Sequence, residues 1–241
     1  MSENIIEVNN VSKKFDEHYA LKEISFNIDK NGIYGILGPN GAGKTTLIKC
    51  IGGMLEPTEG EIIVDNKNVS ENEVKIREMI GILPEKDSPT SYLTPREYLH
   101  MVGELRGIKD IDDRIDHWGK FLSYYKELDF LIKNLSRGTK QKVMVTQAFI
   151  HKPNISLIDE PLVNLDPILQ KKTNNYLKDY SKENTIILST HNLWIVSRIC
   201  DKVFILKDAE LIDSINLSEK FEKRNEEEIE EIMDLLLSKI I

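Results

Sequence analysis

Short apolar runs recur along this chain at Ile5–Val8, Ile24–Ile28, Ile33–Leu37, Glu61–Val64, Ile80–Leu83, Ile155–Ile158, Thr185–Leu188 and Val203–Leu206. Each is the length of a strand and too short for a helix. Helical spacing fills several of the intervals, and that alternation predicts an α/β protein with a largely parallel sheet. The connections among the first two runs and Glu61–Val64 are short, which predicts an antiparallel portion in the N-terminal third. From Glu85 to about Ile150 the pattern turns almost wholly helical. There Thr94 reads as an N-cap, Pro95 as the first helical residue and Gly107 as a stop signal. Tyr98, Met101, Val102 and Leu105 form one predicted core stripe, and Ile111, Ile115, Trp118 and Leu122 another. The simplest reading is a helical lobe, about 86–150, inserted in an α/β domain of residues 1–216. Residues 217–241 read as an amphipathic helical tail, with Ile229, Ile232, Met233, Leu236, Leu237 and Ile240 opposite a run of glutamates. Its apolar face is expected to dock on the protein's own body, with a dimer contact as the competing reading.

One of these runs leads into a segment that carries chemistry. Ile33–Leu37 is followed by Gly38-Pro-Asn-Gly-Ala-Gly-Lys-Thr-Thr46, which fits the phosphate-binding loop template Gly-x4-Gly-Lys-Ser/Thr. Gly38, Pro39, Asn40, Gly41, Ala42 and Gly43 would fold their N–H groups around a phosphate chain. The helix that starts behind them adds its positive dipole end. Lys44 would reach the β- and γ-phosphates, the Thr45 hydroxyl would ligate Mg²⁺, and Thr46 completes the loop. A second element is Ile155-Ser-Leu-Ile-Asp-Glu-Pro161, an apolar strand that ends in two carboxylates. Asp159 suits a place beside Thr45 and Mg²⁺, and Glu160 suits the general base for an attacking water. Together they imply binding of a nucleoside triphosphate.

Composition narrows the remaining classes. Forty acidic against 32 basic residues give the 241-residue chain a net charge of −8, which argues against a broad nucleic-acid surface. Cys50 and Cys200 lie apart in apolar stretches and read as small core residues of a reducing compartment. The acidic N-terminus does not read as a signal peptide, and no window is apolar enough to cross a membrane. A membrane role would therefore come through a partner. No Asn-Lys-x-Asp guanine signature is present.

Gly38–Thr46, Leu135-Ser-Arg-Gly-Thr139, Ile155–Pro161, Leu165-Asp-Pro167 and Ser189-Thr-His191, taken in that order, resemble the nucleotide-binding subunit of ABC transporters. Leu55–Glu61 also resembles the turn after that family's first helix, and the likeness runs from about Ile5 to Asp213. The resemblance implies a P-loop NTPase fold of ABC type and an ATP-sandwiched homo- or heterodimer. It implies that Ser136 and Gly138 complete the opposite subunit's site, with Arg137 in place of the usual glycine. It implies that His191 is the switch histidine acting with Glu160, that Asp166 links the two composite sites, and that Phe15 stacks on adenine, with Tyr19 as its neighbouring rival. Glu85 stands where the family usually has a glutamine that ligates Mg²⁺. The expected role is an ATPase that drives a separately encoded export permease from the cytoplasmic face of the membrane. The competing reading is an ABC-type ATPase without a membrane partner, acting in translation or DNA maintenance.

Overall fold

All eight apolar runs become strands in the computed structural model, which describes residues 4–85, 89–160, 166–221 and 223–240. The chain opens with the hairpin β1 (Ile6–Phe15) and β2 (His18–Ile28), followed by β3 (Gly32–Leu37) and α1 (Lys44–Ile51). Next come β4 (Glu59–Val64), β5 (Lys67–Asn68), α2 (Glu73–Met79) and β6 (Ile80–Leu83). The lobe follows as α3 (Pro95–Leu105), α4 (Ile111–Phe121) and α5 (Arg137–Phe149). The chain then returns through β7 (Ile155–Asp159), α6 (Pro167–Tyr180), β8 (Thr185–Thr190) and α7 (Leu193–Ile199). It closes with β9 (Lys202–Lys207), β10 (Glu210–Asn216), α8 (Leu217–Lys220) and α9 (Glu226–Ile240).

Two sheets result. One is antiparallel, in the order β2-β1-β4-β5; the other runs β10-β9-β3-β8-β7-β6. In the second sheet β9, β3, β8, β7 and β6 are parallel, and β10 pairs antiparallel on the edge. The parallel strands are the middle layer. Ile33 and Leu37 of β3 face the core beneath the lobe, α6, α7 and α9, while Tyr34 and Ile36 face the core under the antiparallel sheet and α1. Burial on both faces explains why β3, β7 and β8 read as unbroken apolar runs. The edge strand β10 is different. Its residues are mostly part-exposed, and its register slips between Leu211 and Asp213, so it left little apolar signal.

Helix α3 begins as expected, with a capping box in which the Glu97 N–H donates to the Thr94 hydroxyl (3.2 Å) and the Thr94 N–H donates to Glu97 (2.8 Å). It ends before Gly107, whose φ of 65° is the left-handed conformation of a helix stop. Its buried face departs from the expected stripe. Tyr98 is buried, but Met101 is 41% and Leu105 80% exposed, and Leu99 and Gly103 take the core positions instead. The cause is the approach of α4: a Cβ on Gly103 would lie 2.5 Å from Ile111, so α3 turns this face inward. The α4 stripe is buried as read. Trp118 then packs edge-on to Tyr176 of α6, with ring centroids 5.1 Å apart, tying the lobe to the main body. Ile229, Ile232 and Leu236 of α9 are buried, and the helix packs on α7, so the tail docks on its own chain. Leu237 is excluded from that face and stays exposed. Cys50 and Cys200 are buried thiols.

Candidate nucleotide site

Parallel α/β sheets gather ligands at the carboxyl ends of their strands. Here β3, β7 and β8 deliver the loop 38–43, the Asp159–Glu160 pair and Thr190–His191 to one such end. The loop closes against two neighbouring backbones. A Cβ on Gly38 would lie 2.1 Å from the Leu206 carbonyl oxygen, and one on Gly43 would lie 2.3 Å from that of Ala20. Gly43 also holds φ at 103° as it caps α1, a conformation that a side chain would strain. Pro39, Asn40 and Gly41 are exposed, Ala42 is buried, and Thr45 and Thr46 are half-buried at the start of α1.

Lys44 is buried and curls back over the loop, donating to the carbonyls of Gly38 (2.9 Å) and Pro39 (3.0 Å). Burial pulls its pKa down, while the negative charges of Glu160, Asp159 and Glu85 pull it up. Glu85, exposed just beyond β6, is thus within electrostatic reach of the lysine.

The Thr45 hydroxyl donates to Asp159 Oδ2 at 2.7 Å, and the buried Ser189 hydroxyl donates to Oδ1. Glu160 sits one residue past the strand with φ at 54°, a left-handed conformation of the kind that clusters at functional sites. Its N–H still donates to the Ser189 carbonyl at 3.0 Å. One carboxylate oxygen accepts from the Thr190 hydroxyl at 2.9 Å; the other accepts from the His191 N–H at 3.1 Å and contacts His191 Nδ1 at 2.6 Å. Glu160 is buried, while the His191 side chain is 59% exposed. The result is a desolvated carboxylate held by three donors, beside a half-exposed imidazole.

Ser189 and Thr190 were given no role in the sequence reading. They sit side by side at the end of β8, and each binds one of the two carboxylates at the end of β7. The only available signal was two hydroxyls directly before His191 on a buried strand.

Other expected residues lie apart from this cluster. Ser136 is the N-cap of α5, accepting from the Thr139 N–H at 3.1 Å, and Arg137 and Gly138 are the first residues of that helix. Ser136 and Arg137 are exposed, and none of the three hydrogen-bonds to the phosphate loop within the described chain. Asp166 caps α6 through the N–H groups of Ile168 and Leu169, both at 3.1 Å. Pro161 and Leu165 lie outside the described residues. Phe15 is half-exposed at the hairpin tip, with the Lys13 ammonium 5.4 Å from its ring centroid, and Tyr19 is similarly placed under Lys14.

No group of three His, Cys, Asp or Glu residues able to hold a metal exists among the described residues. The Thr45 hydroxyl bonded to Asp159, with Glu85 nearby, is an all-oxygen donor set that fits Mg²⁺, an ion that keeps waters and takes phosphate oxygens as ligands.

The family model described as "ABC transporter" matches residues 21–163. The bacitracin transport ATP-binding protein BcrA of Enterococcus faecalis is 32% identical over 225 residues, covering 92% of this chain and 72% of its own. A solved ATP-binding subunit of an ABC transporter superposes with a TM-score of 0.84 at 27% identity, covering 97% of this chain and 99% of that one. The dimeric ATP-binding cassette MJ0796, in a post-hydrolysis state with ADP and phosphate, superposes with a TM-score of 0.81 at 26% identity, over 88% and 98% of the two chains.

Proposed function

This chain belongs to the ABC transporter family of ATP-binding subunits, and from that premise we propose that Glu160 is the general base of an ATPase that drives an export permease. The chain binds ATP and is an ATPase of that family. The observation that carries the assignment of the base is the buried, three-donor environment of Glu160 beside Lys44, Thr45 and Asp159. An attacking water would pass its proton to the Glu160 carboxylate. The Thr190 hydroxyl and the His191 N–H fix the carboxylate's rotamer, so it need not reorganise during the step. His191 is exposed enough to turn toward a γ-phosphate. Mg²⁺, held through Thr45 with Asp159 and Glu85 nearby, would neutralise charge developing on the phosphates. Lys44 would move from the carbonyls of Gly38 and Pro39 onto the β- and γ-phosphates, which are stronger acceptors.

In this reading Ser136, Arg137 and Gly138 serve the site of a second subunit, in a homo- or heterodimer. The exposure of Ser136 and Arg137 at a helix N-terminus supports that assignment, since such an end can bind a γ-phosphate. Phe15 stacks on the adenine ring. Residues 1–216 form the ATPase unit, with the lobe of about 86–150 inserted, and 217–241 the appended tail. The permease is a separate membrane protein, and it holds the ATPase on the cytoplasmic face. No helix among the described residues is long and apolar enough to cross a membrane. A relative named for bacitracin transport supports a transport role over one in translation or DNA maintenance.

The test is complementation between subunits. Turnover should rise faster than linearly with protein concentration until the dimer saturates. Mixing Ser136→Arg with Lys44→Ala subunits should give activity above either alone, from one intact composite site per mixed dimer. Strict proportionality of rate to concentration, in a protein shown to stay monomeric, would rule the shared site out.

A further inference from the structure

The opposite end of the parallel sheet holds a cavity of about 490 Å³, at the N-terminal ends of β3 and β9. In a chain of net charge −8 its lining is strongly basic. Lys30, Lys178, Lys182, Arg198 and Arg224 line it against the carboxylate of Asp201. Asp201 is already engaged, since its Oδ2 accepts from the Ile33 N–H at 2.8 Å. Lys182 pairs with Asp179 (2.7 Å), and Arg224 donates to the Ser197 and Cys200 carbonyls (2.5 and 2.7 Å). Arg198 is different: its guanidinium stacks on the Trp194 ring at 4.3 Å, and its buried Nε has no hydrogen-bond partner among the described residues. A buried guanidinium N–H left unpaired costs free energy until an acceptor arrives.

The cations also act on one another. Partial burial of the solvent-reaching Lys178 lowers its pKa, the positive charges of Arg224 and then Arg198 lower it further, and Asp201 opposes them. Like charges gathered around a cavity are relieved by a bound anion. A larger cavity, about 1120 Å³ between the lobe and the start of β7, lacks this surplus: Lys109, Arg106, Arg114 and Lys152 there meet Asp65, Glu78, Asp110 and Glu183. Arg106 and Arg114 already donate to backbone carbonyls.

We propose that the basic cavity binds a soluble phosphorylated small molecule, whose phosphoryl oxygens are taken by Arg198, Lys178 and Lys30. A guanidinium fork beside an ammonium matches the donors a phosphate needs, and the volume suits a small metabolite. The site is separate from the phosphate loop by the length of β3, about 20 Å for six residues. Its lining comes from the β2–β3 connection, α6, α7, α8 and the turn into α9, so a ligand there would join the helix that follows His191 to the C-terminal tail.

Trp194 makes the site readable. The chain has two tryptophans, so Trp118→Phe leaves the Arg198-stacked ring as the single reporter, and Lys44→Ala removes phosphate binding at the loop. Pyrophosphate titrated into this doubly substituted full-length protein, without Mg²⁺, should change Trp194 fluorescence saturably. Arg198→Gln should weaken binding by about tenfold or more, as expected for a lost charged hydrogen bond. Lys178→Gln, at an exposed position where the fold is not at stake, should weaken it at least about threefold. No saturable change, or the same affinity in the Lys178→Gln protein, would overturn the proposal. So would capture by vesicles containing phosphatidylglycerol that depends on Lys178 and Arg198 while pyrophosphate fails to bind, because that outcome assigns the cations to a lipid headgroup.

Discussion

At the carboxyl ends of β3, β7 and β8, the carboxylates Asp159, Glu160 and Glu85 act on one buried lysine; at the amino ends of β3 and β9, lysines and arginines crowd Asp201. The same strands supply both ends, but their polar groups do different work. At the carboxyl end, hydroxyls and N–H groups grip two acids near the phosphate loop without closing off the half-exposed His191. At the amino end, polar side chains fasten the starts of strands: Asp201 accepts from the Ile33 N–H, and His151 Nε2 lies 3.2 Å from the Ile80 carbonyl. One end is arranged for a reaction and the other for holding the sheet. Substitutions among the gripped acids at the first should change rate and spare stability, and substitutions of Asp201 or His151, which fasten strand starts at the second, should do the reverse.

The largest effect is expected at Glu160. Glu160→Gln should still bind ATP while turnover falls about 10²–10⁴-fold, or about 3–5 kcal/mol of barrier. Single-turnover and steady-state ATPase assays measure it, and the thermal melting curve should stay close to that of the parent. A variant that melted early while retaining its rate would erase the distinction between the two ends.

His151 supplies the complementary case. Burial, and then the nearby Arg106 charge, push its pKa from the usual 6.5 down to about 4. The folded imidazole therefore stays neutral where the unfolded one protonates. Its contribution to stability is complete above pH 6.5 and is lost as pH falls toward 4. Between pH 7 and pH 5 the loss should be about 1–2 kcal/mol, allowing for the ring's partial exposure to solvent. Urea unfolding at the two pH values should show that loss, and it should shrink in His151→Gln. An equal acid sensitivity in the variant would place the titrating group elsewhere.

The smallest effect should come from Glu85→Gln. Removing one negative charge near the γ-phosphate relieves Coulomb repulsion on the order of 1–3 kcal/mol at an effective dielectric near 20, before Mg²⁺ offsets part of it. ATPase activity should hold or rise, with a lower Mg²⁺ requirement in a titration of the rate. A loss as deep as that of Glu160→Gln would mean that the carboxylate itself is required.

The two ends also differ in how plainly the sequence shows them. The phosphate loop is contiguous, and the strand before it is buried on both faces, so motif and pattern coincide in one short segment. The contact of Glu160 with His191 spans 31 residues and arises only when β7 and β8 pair in register, so no local spacing reveals it. The same holds for the hydroxyls of Ser189 and Thr190. On α3 the periodicity identified a helix but set its buried face by Met101 and Leu105, because the packing partner at Gly103, Ile111, lies on another helix. The basic cavity was invisible for a similar reason. Its cations come from scattered segments with no shared motif, in a chain whose overall charge has the opposite sign.

The bare Cα of Gly43 has a mechanical corollary. Because the phosphate loop rests directly on the Ala20 carbonyl, it is braced against β2, whose hairpin carries Phe15 at its tip. The span from that ring to the loop is then a gauge cut into the backbone, with no side chain to shim it. A methyl group at position 43 would have to reset the gauge, and a nucleotide seated at both ends would feel the change in length before any contact with it had been altered.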